Sequence, residues 1–110
     1  MAQDNSEYLI RIVRLTLKPE KVEAFLTMFD AIKTKIRTFE GCEHLELLQD
    51  ADYPNVVSTY SLWQDEKALL NYRNSAFFKE VWPRTKTMFA APPTAFSSRQ
   101  IRVVNLSENT

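Results

Sequence analysis

The chain has 110 residues, with 14 basic and 14 acidic side chains in balance and 45% apolar residues. That length suits one domain able to bury a sizeable core. The charge balance leaves no basic excess for nucleic acid, and no apolar run approaches the roughly 20 residues of a membrane-spanning helix.

Cys42 is the only cysteine, so no internal disulfide can form, and with His44 it supplies too few soft ligands for a zinc site. Gly41 is the only glycine, which argues against a phosphate-cradling glycine loop. The opening MAQDNSEY lacks the apolar core of a signal peptide. The expectation is a soluble cytoplasmic protein without metal or other cofactor.

Residues 1–7 read as a disordered polar tail. Tyr8–Leu17, YLIRIVRLTL, is predicted as the first strand, with Leu9, Arg11, Val13, Leu15 and Leu17 on one face and Tyr8, Ile10, Ile12, Arg14 and Thr16 on the other. Both faces are largely apolar, so this strand should be central and covered twice. Pro19 suits the first turn of a helix, where its missing N–H costs little. Val22, Phe25, Leu26, Phe29, Ile32, Ile36 and Phe39 then recur at helical spacing. Gly41 follows as the expected left-handed C-cap.

Cys42–Gln49 is predicted as a strand, with Leu45 and Leu47 on one face and Cys42, His44, Glu46 and Leu48 on the other. The turn-rich Asp50–Asn55 joins it to a strand over Val56–Trp63 as an antiparallel hairpin. Asp65 is a good N-cap for a short helix carrying Ala68, Leu69 and Tyr72. Asn74-Ser75 ends that helix and caps the next, which puts Phe78, Trp82, Thr85 and Phe89 along one side. Pro83 predicts a kink or a restart beside Trp82. Ala90–Pro93 stops the helix, a last strand is expected from about Arg99 to Leu106, and residues 107–110 should fray.

The order β-α-β-β-α-β over residues 8–106 predicts a single α+β domain of ferredoxin-like type. Its four-stranded antiparallel sheet should carry the helices on one face, with Tyr8–Leu17 and Val56–Trp63 at the centre. The other, apolar face then needs a cover. A second copy of the same sheet is the simplest one, so a homodimer is expected.

Three stretches together resemble the antibiotic biosynthesis monooxygenase family: IVRLTLKPEKVEAFLTMF, then Glu40-Gly41-Cys42 leading into HLELLQD, then SLWQDEKALLNYRNSAFFK. The resemblance implies a dimeric α+β barrel and a cofactor-independent monooxygenase. Many members carry a glutamate two residues before the strand-end tryptophan, and histidines on the short helix and at the start of the next. Here those positions hold Ser61, Tyr72 and Phe77. In the similar haem-degrading branch the asparagine, tryptophan and haem-ligating histidine fall on Val13, Tyr72 and Trp82. Valine offers no side-chain hydrogen bond and tryptophan no iron ligand, so haem degradation is not expected.

The concentration of aromatic residues after Val56, with the resemblance, points to a pocket for a small flat aromatic or quinol-like ligand. Phe29, Trp63, Phe78, Trp82 and Val13 are its candidate lining. Tyr72 reads either as a core tyrosine or as a phenol that orients a ligand or donates a proton. Arg11 could clamp an anionic ligand or an internal carboxylate. His44, the only histidine, is the remaining candidate for charge. Three readings stay open: a cofactor-independent monooxygenase, a non-catalytic small-molecule-binding protein, and an isomerase or lyase of a small carbonyl compound.

Overall fold

In the computed structural model, which describes residues 8–106, the alternation of YLIRIVRL becomes β1 (Leu9–Thr16). Antiparallel pairing of β1 with β3 (Val56–Trp63) sets Leu9 opposite Trp63, Val13 opposite Thr59 and Thr16 opposite Val56. β2 (Cys42–Gln49) lies outside β3, and β4 (Thr94–Arg99) lies outside β1. The sheet order is β2-β3-β1-β4 with every pair antiparallel, so the two strands expected at the centre are there. Within one chain this is an open ferredoxin-like α+β sheet whose edges are β2 and β4. It does not close into a barrel.

One-turn 3-10 geometry at Pro19–Lys21 leads into α1 (Val22–Arg37), placing the proline where its missing N–H is harmless. The apolar stripe of α1 buries Phe25, Phe29 and Ile36 against Leu15, Leu17 and Val57. α2 (Glu66–Arg73) starts on Asp65, whose side chain accepts from the Ala68 N–H at 2.8 Å. α3 (Ala76–Lys86) starts on Ser75, which accepts from the Phe78 N–H and donates to the Tyr72 carbonyl at 2.6 Å. Leu69 of α2 packs with Leu9, Cys42 and Trp63, and Phe77 and Trp82 of α3 pack on the α1 core. All three helices therefore sit on the odd-numbered face of β1 and β3. None of them is long and apolar enough to cross a membrane.

Four expectations change. The helix after the first strand stops at Arg37, and Gly41 is not its C-cap but part of the turn into β2. The register slips between Cys42 and His44, so Cys42 pairs with Trp63 and His44 with Leu62. That bulge turns Cys42 to the helix side, where it is buried, and leaves His44 and Glu46 on the opposite face. α3 runs without interruption through Pro83, so the sequence restarts nowhere near Trp82. It ends at Lys86, and Phe89 instead bridges to Leu17.

The last strand is Thr94–Arg99 rather than 99–106. It pairs along β1 until Arg99 meets Leu9, and Gln100 donates its N–H to the Tyr8 carbonyl at 3.0 Å. Among the described residues the ladder ends there. Ile101, Val103, Val104 and Leu106 are consequently exposed. The expectations for residues 1–7 and 107–110 lie outside the described residues.

Gly41 has φ of 89°, the only positive φ among the described residues. A Cβ there would also collide with the Ala68 Cβ of α2. Its carbonyl accepts from the Gln64 N–H at 2.8 Å, tying the α1–β2 turn to the β3–α2 junction. Gly41→Ala should therefore cost about 2 kcal/mol or more, the left-handed penalty plus the overlap. Urea unfolding of the two proteins measures it, and a cost below about 0.5 kcal/mol would contradict this geometry.

Candidate functional site

The helices do not fill the space above the sheet. A cavity of about 330 Å³ remains between them and the odd-numbered face. Its floor comes from alternate residues of the central strands, Arg11, Val13 and Leu15 of β1 and Thr59, Ser61 and Trp63 of β3. α1 supplies Phe29 and Ile32 to the wall, α2 supplies Tyr72 and Arg73, and α3 supplies Phe78, Trp82 and Thr85. Tyr72, Arg11, Phe29, Trp63, Phe78, Trp82 and Val13 are thus brought together at one cavity.

His44 is not. It lies on the opposite face of the sheet, half exposed, 2.7 Å from a Glu46 carboxylate oxygen and edge-on to Tyr60. Val13, Tyr72 and Trp82, the positions compared with the haem-degrading branch, all line the cavity, and no histidine does.

An aromatic relay runs along the wall. The Tyr72 ring lies 5.0 Å from Trp63, 5.3 Å from Phe39 and 5.2 Å from Phe78, and Phe78 stacks on Trp82 at 5.6 Å. These separations are those of favourable ring pairs. The relay is continuous because Asp65 and Ser75 cap consecutive helices and so fix the turn that presents Tyr72.

The lining polar groups divide into committed and uncommitted. Ser61 Oγ accepts the Trp63 indole N–H at 2.9 Å and donates to the Arg11 carbonyl at 3.4 Å. Thr85 Oγ1 donates to the Val81 carbonyl at 2.9 Å. The Tyr72 and Thr59 hydroxyls make no hydrogen bond to another described residue. Burial pushes the Tyr72 phenol well above its usual range, and the neighbouring Cys42 adds to the effect. At neutral pH Tyr72 is therefore a hydrogen-bond donor and not a base.

Arg11 donates to Ser97 Oγ at 3.2 Å and, like Arg73, takes part in none of the ion pairs of the described residues. Among those residues no group of His, Cys, Asp and Glu could hold a metal ion.

Thr59 and Arg73 were not among the sequence candidates. Both were accessible to simple periodicity. Thr59 lies two residues before Ser61 and four before Trp63 on one strand face. Arg73 lies one helical turn after the buried Leu69.

A family model described as antibiotic biosynthesis monooxygenase matches residues 8–83. No curated protein matches the chain. Among solved structures, a conserved protein from Methanosarcina mazei Go1 superposes with a TM-score of 0.83 at 22% identity, over 88% of this chain and 96% of that one. Rv0793 from Mycobacterium tuberculosis gives 0.80 at 18% identity, over 89% and 99%. A structure named antibiotic biosynthesis monooxygenase gives 0.79 at 20%, over 86% and 99%. At these identities the likeness is one of fold.

The raised Tyr72 pKa has a sign that can be checked. Both states hold the phenol proton below about pH 10, the ordinary tyrosine value. Above it the unfolded chain loses the proton while the folded chain keeps it. Stability is therefore full below about pH 10 and falls as pH rises towards the folded value, by up to about 1.4 kcal/mol per pH unit from this group. Urea unfolding between about pH 9 and 11 should show a shallower loss for Tyr72→Phe than for wild type, and parallel curves would contradict the burial.

Proposed function

The chain belongs to the antibiotic biosynthesis monooxygenase family, and from that premise we propose that its cavity binds a flat aromatic or quinol-like molecule and oxidises it with dioxygen, without a cofactor. The observation that carries the reading is the cavity itself: about 330 Å³, walled by Phe29, Phe78 and Trp82, with few polar groups uncommitted. A site of that size and apolarity suits a flat ligand. A bound flat ligand that fills these apolar walls would displace water, which favours reaction of a substrate anion with oxygen over quenching.

Among the described residues neither a carboxylate nor a histidine lines the cavity, and Tyr72 stays protonated. The substrate must supply the acidity. A quinol or fused-ring phenol ionises by itself, and its anion can pass electrons to dioxygen. For a ring methylene the balance is CH2 + O2 → C=O + H2O. The substrate carbon is oxidised, dioxygen is reduced, and no outside reductant enters. In this reading Tyr72 donates a hydrogen bond to the ring oxygen and Arg11 faces the negative charge that develops there.

The lack of a lining base also favours a second reading, a binding module with the same pocket and no turnover. An isomerase or lyase of a carbonyl compound is disfavoured, because its proton abstraction asks for a base that the lining does not contain. Oxygen uptake with a panel of hydroquinones separates the readings. Turnover should rise with pH along the ionisation of each substrate, and Tyr72→Phe should lose about tenfold or more in kcat/KM. A ligand-induced thermal shift without oxygen uptake would identify the binding module. No binding and no uptake across the panel would remove the pocket reading.

The same reading includes a homodimer. The helix-free face of the sheet carries Tyr60, Ile12 and Phe96 in one cross-strand row and Leu62 beside Ile10 in the next. With exposed Leu48 and the exposed apolar residues of 101–106, it is a large surface to leave in water. A second copy placed face to face should bury more than about 1,500 Å². Light scattering should give a dimer at micromolar concentration, with a melting temperature that rises with protein concentration. Ile12→Asp should shift the population to monomer or unfolded chain, and a stable wild-type monomer would refute the dimer.

A further inference from the structure

The cavity has one charged end. Arg11 from β1 and Arg73 from the last turn of α2 both line it, and both also line a second depression that includes Glu66, Ser97 and Arg99. The two guanidinium groups thus stand between the aromatic interior and the surface. Arg14, on the other face of the sheet, has Asp50 at 3.8 Å. Among the described residues Arg11 and Arg73 have no such carboxylate: Glu66 shares the outer depression but pairs with neither, and the one hydrogen bond of the Arg11 side chain there is to the neutral Ser97 hydroxyl.

Two like charges at one rim, with no counter-ion among the described residues, oppose each other. Burial first, and the charge of Arg73 second, hold the Arg11 pKa below its ordinary value. An anion between them would relieve both effects, and a planar guanidinium is suited to paired oxygens.

We infer that the ligand of this cavity is an aromatic anion, its ring among Trp63, Tyr72 and Phe78 and its charged oxygens held by Arg11 and Arg73. The inference rests on the aromatic-pocket reading above and adds the charge and orientation of the ligand. The ring enters first, because the charged rim lies at one end and the apolar wall at the other. A carboxylate and an ionised phenol share the required chemistry, an oxygen anion attached to a flat ring.

Naphthoate and naphthamide test this directly, since they have nearly the same shape and differ by one charge. Their binding is followed by titration calorimetry and by quenching of tryptophan fluorescence. Wild type should bind naphthoate about tenfold more tightly than naphthamide at low ionic strength, with the margin shrinking as salt is added. Arg73→Gln is at an exposed position and should fold normally. It should cut the margin to about threefold or less, and Arg11→Gln should do the same if it folds. Arg14→Gln, which removes the same charge from the opposite face, should keep the full margin.

Equal affinity for the two probes in wild type would overturn the inference while leaving the aromatic pocket in place. So would a margin that survives in Arg73→Gln and Arg11→Gln, or one lost equally in Arg14→Gln. Failure of both probes to bind would overturn the pocket reading and this inference with it.

Discussion

Trp63 is 1% exposed at the point where β3 gives way to α2, and an indole cannot be buried there without an acceptor for its N–H. Ser61, two residues earlier on the same strand face, supplies the acceptor at 2.9 Å. That bond fixes the ring, and much else is referred to it. Cys42, Leu9 and Leu69 pack around the indole, Gly41 closes against Ala68 beside it, and the Tyr72 ring lies against its face. The strand-to-helix junction is therefore one unit built on a single side chain, and the cavity begins where that unit ends.

The same bond determines what the floor of the cavity is not. A carboxylate in place of Ser61 would have to shed water beside an indole, at a cost that pairing with Arg11, its cross-strand neighbour, would have to offset. The hydroxyl is neutral, its proton donated to the Arg11 carbonyl and one of its lone pairs accepting from Trp63. Charge is displaced to the rim, onto Arg11 and Arg73. A lining without a carboxylate or histidine among the described residues, with a cationic edge, does little acid–base chemistry of its own. It can hold a molecule that arrives acidic, stabilise the anion of that molecule and keep water from it.

Much of the fold is visible in the sequence because its signals are local. The apolar stripe of α1, the caps Asp65 and Ser75 and the alternation in β1 each act over a few residues, and each predicts its element. The errors arose where a distant partner decides. Residues 101–106 have the composition of a strand, but pairing ends where β1 ends, at Leu9. Cys42 alternates with His44 in sequence, and only the pairing with Trp63 and Leu62 reveals the bulge that separates their faces. Pro83 weakens a helix by itself, yet packing of Val81, Trp82 and Thr85 continues across it. Seven site candidates converge on one cavity because aromatic residues in this chain follow strand and helix periods closely. His44 had only its titration range to recommend it, and that property says nothing about which side of a sheet a residue occupies.

β1 links the two sides of the molecule. Arg11 and Val13 point from it into the cavity, while Ile10 and Ile12 point from the same eight residues to the helix-free face. In a strand the two sets cannot be repositioned separately, since a one-residue slip exchanges them. On one flank β1 is held by β3 along its whole length; on the other it is held by β4, all six residues of which are exposed. A cover on Ile10, Ile12 and Phe96 would therefore steady the weaker flank of the strand that carries Arg11. Ser97, which receives the Arg11 hydrogen bond, lies on β4 beside Phe96. A partner copy on that face would act on the position of the cavity's charged rim through two bonded neighbours, Phe96 and Ser97.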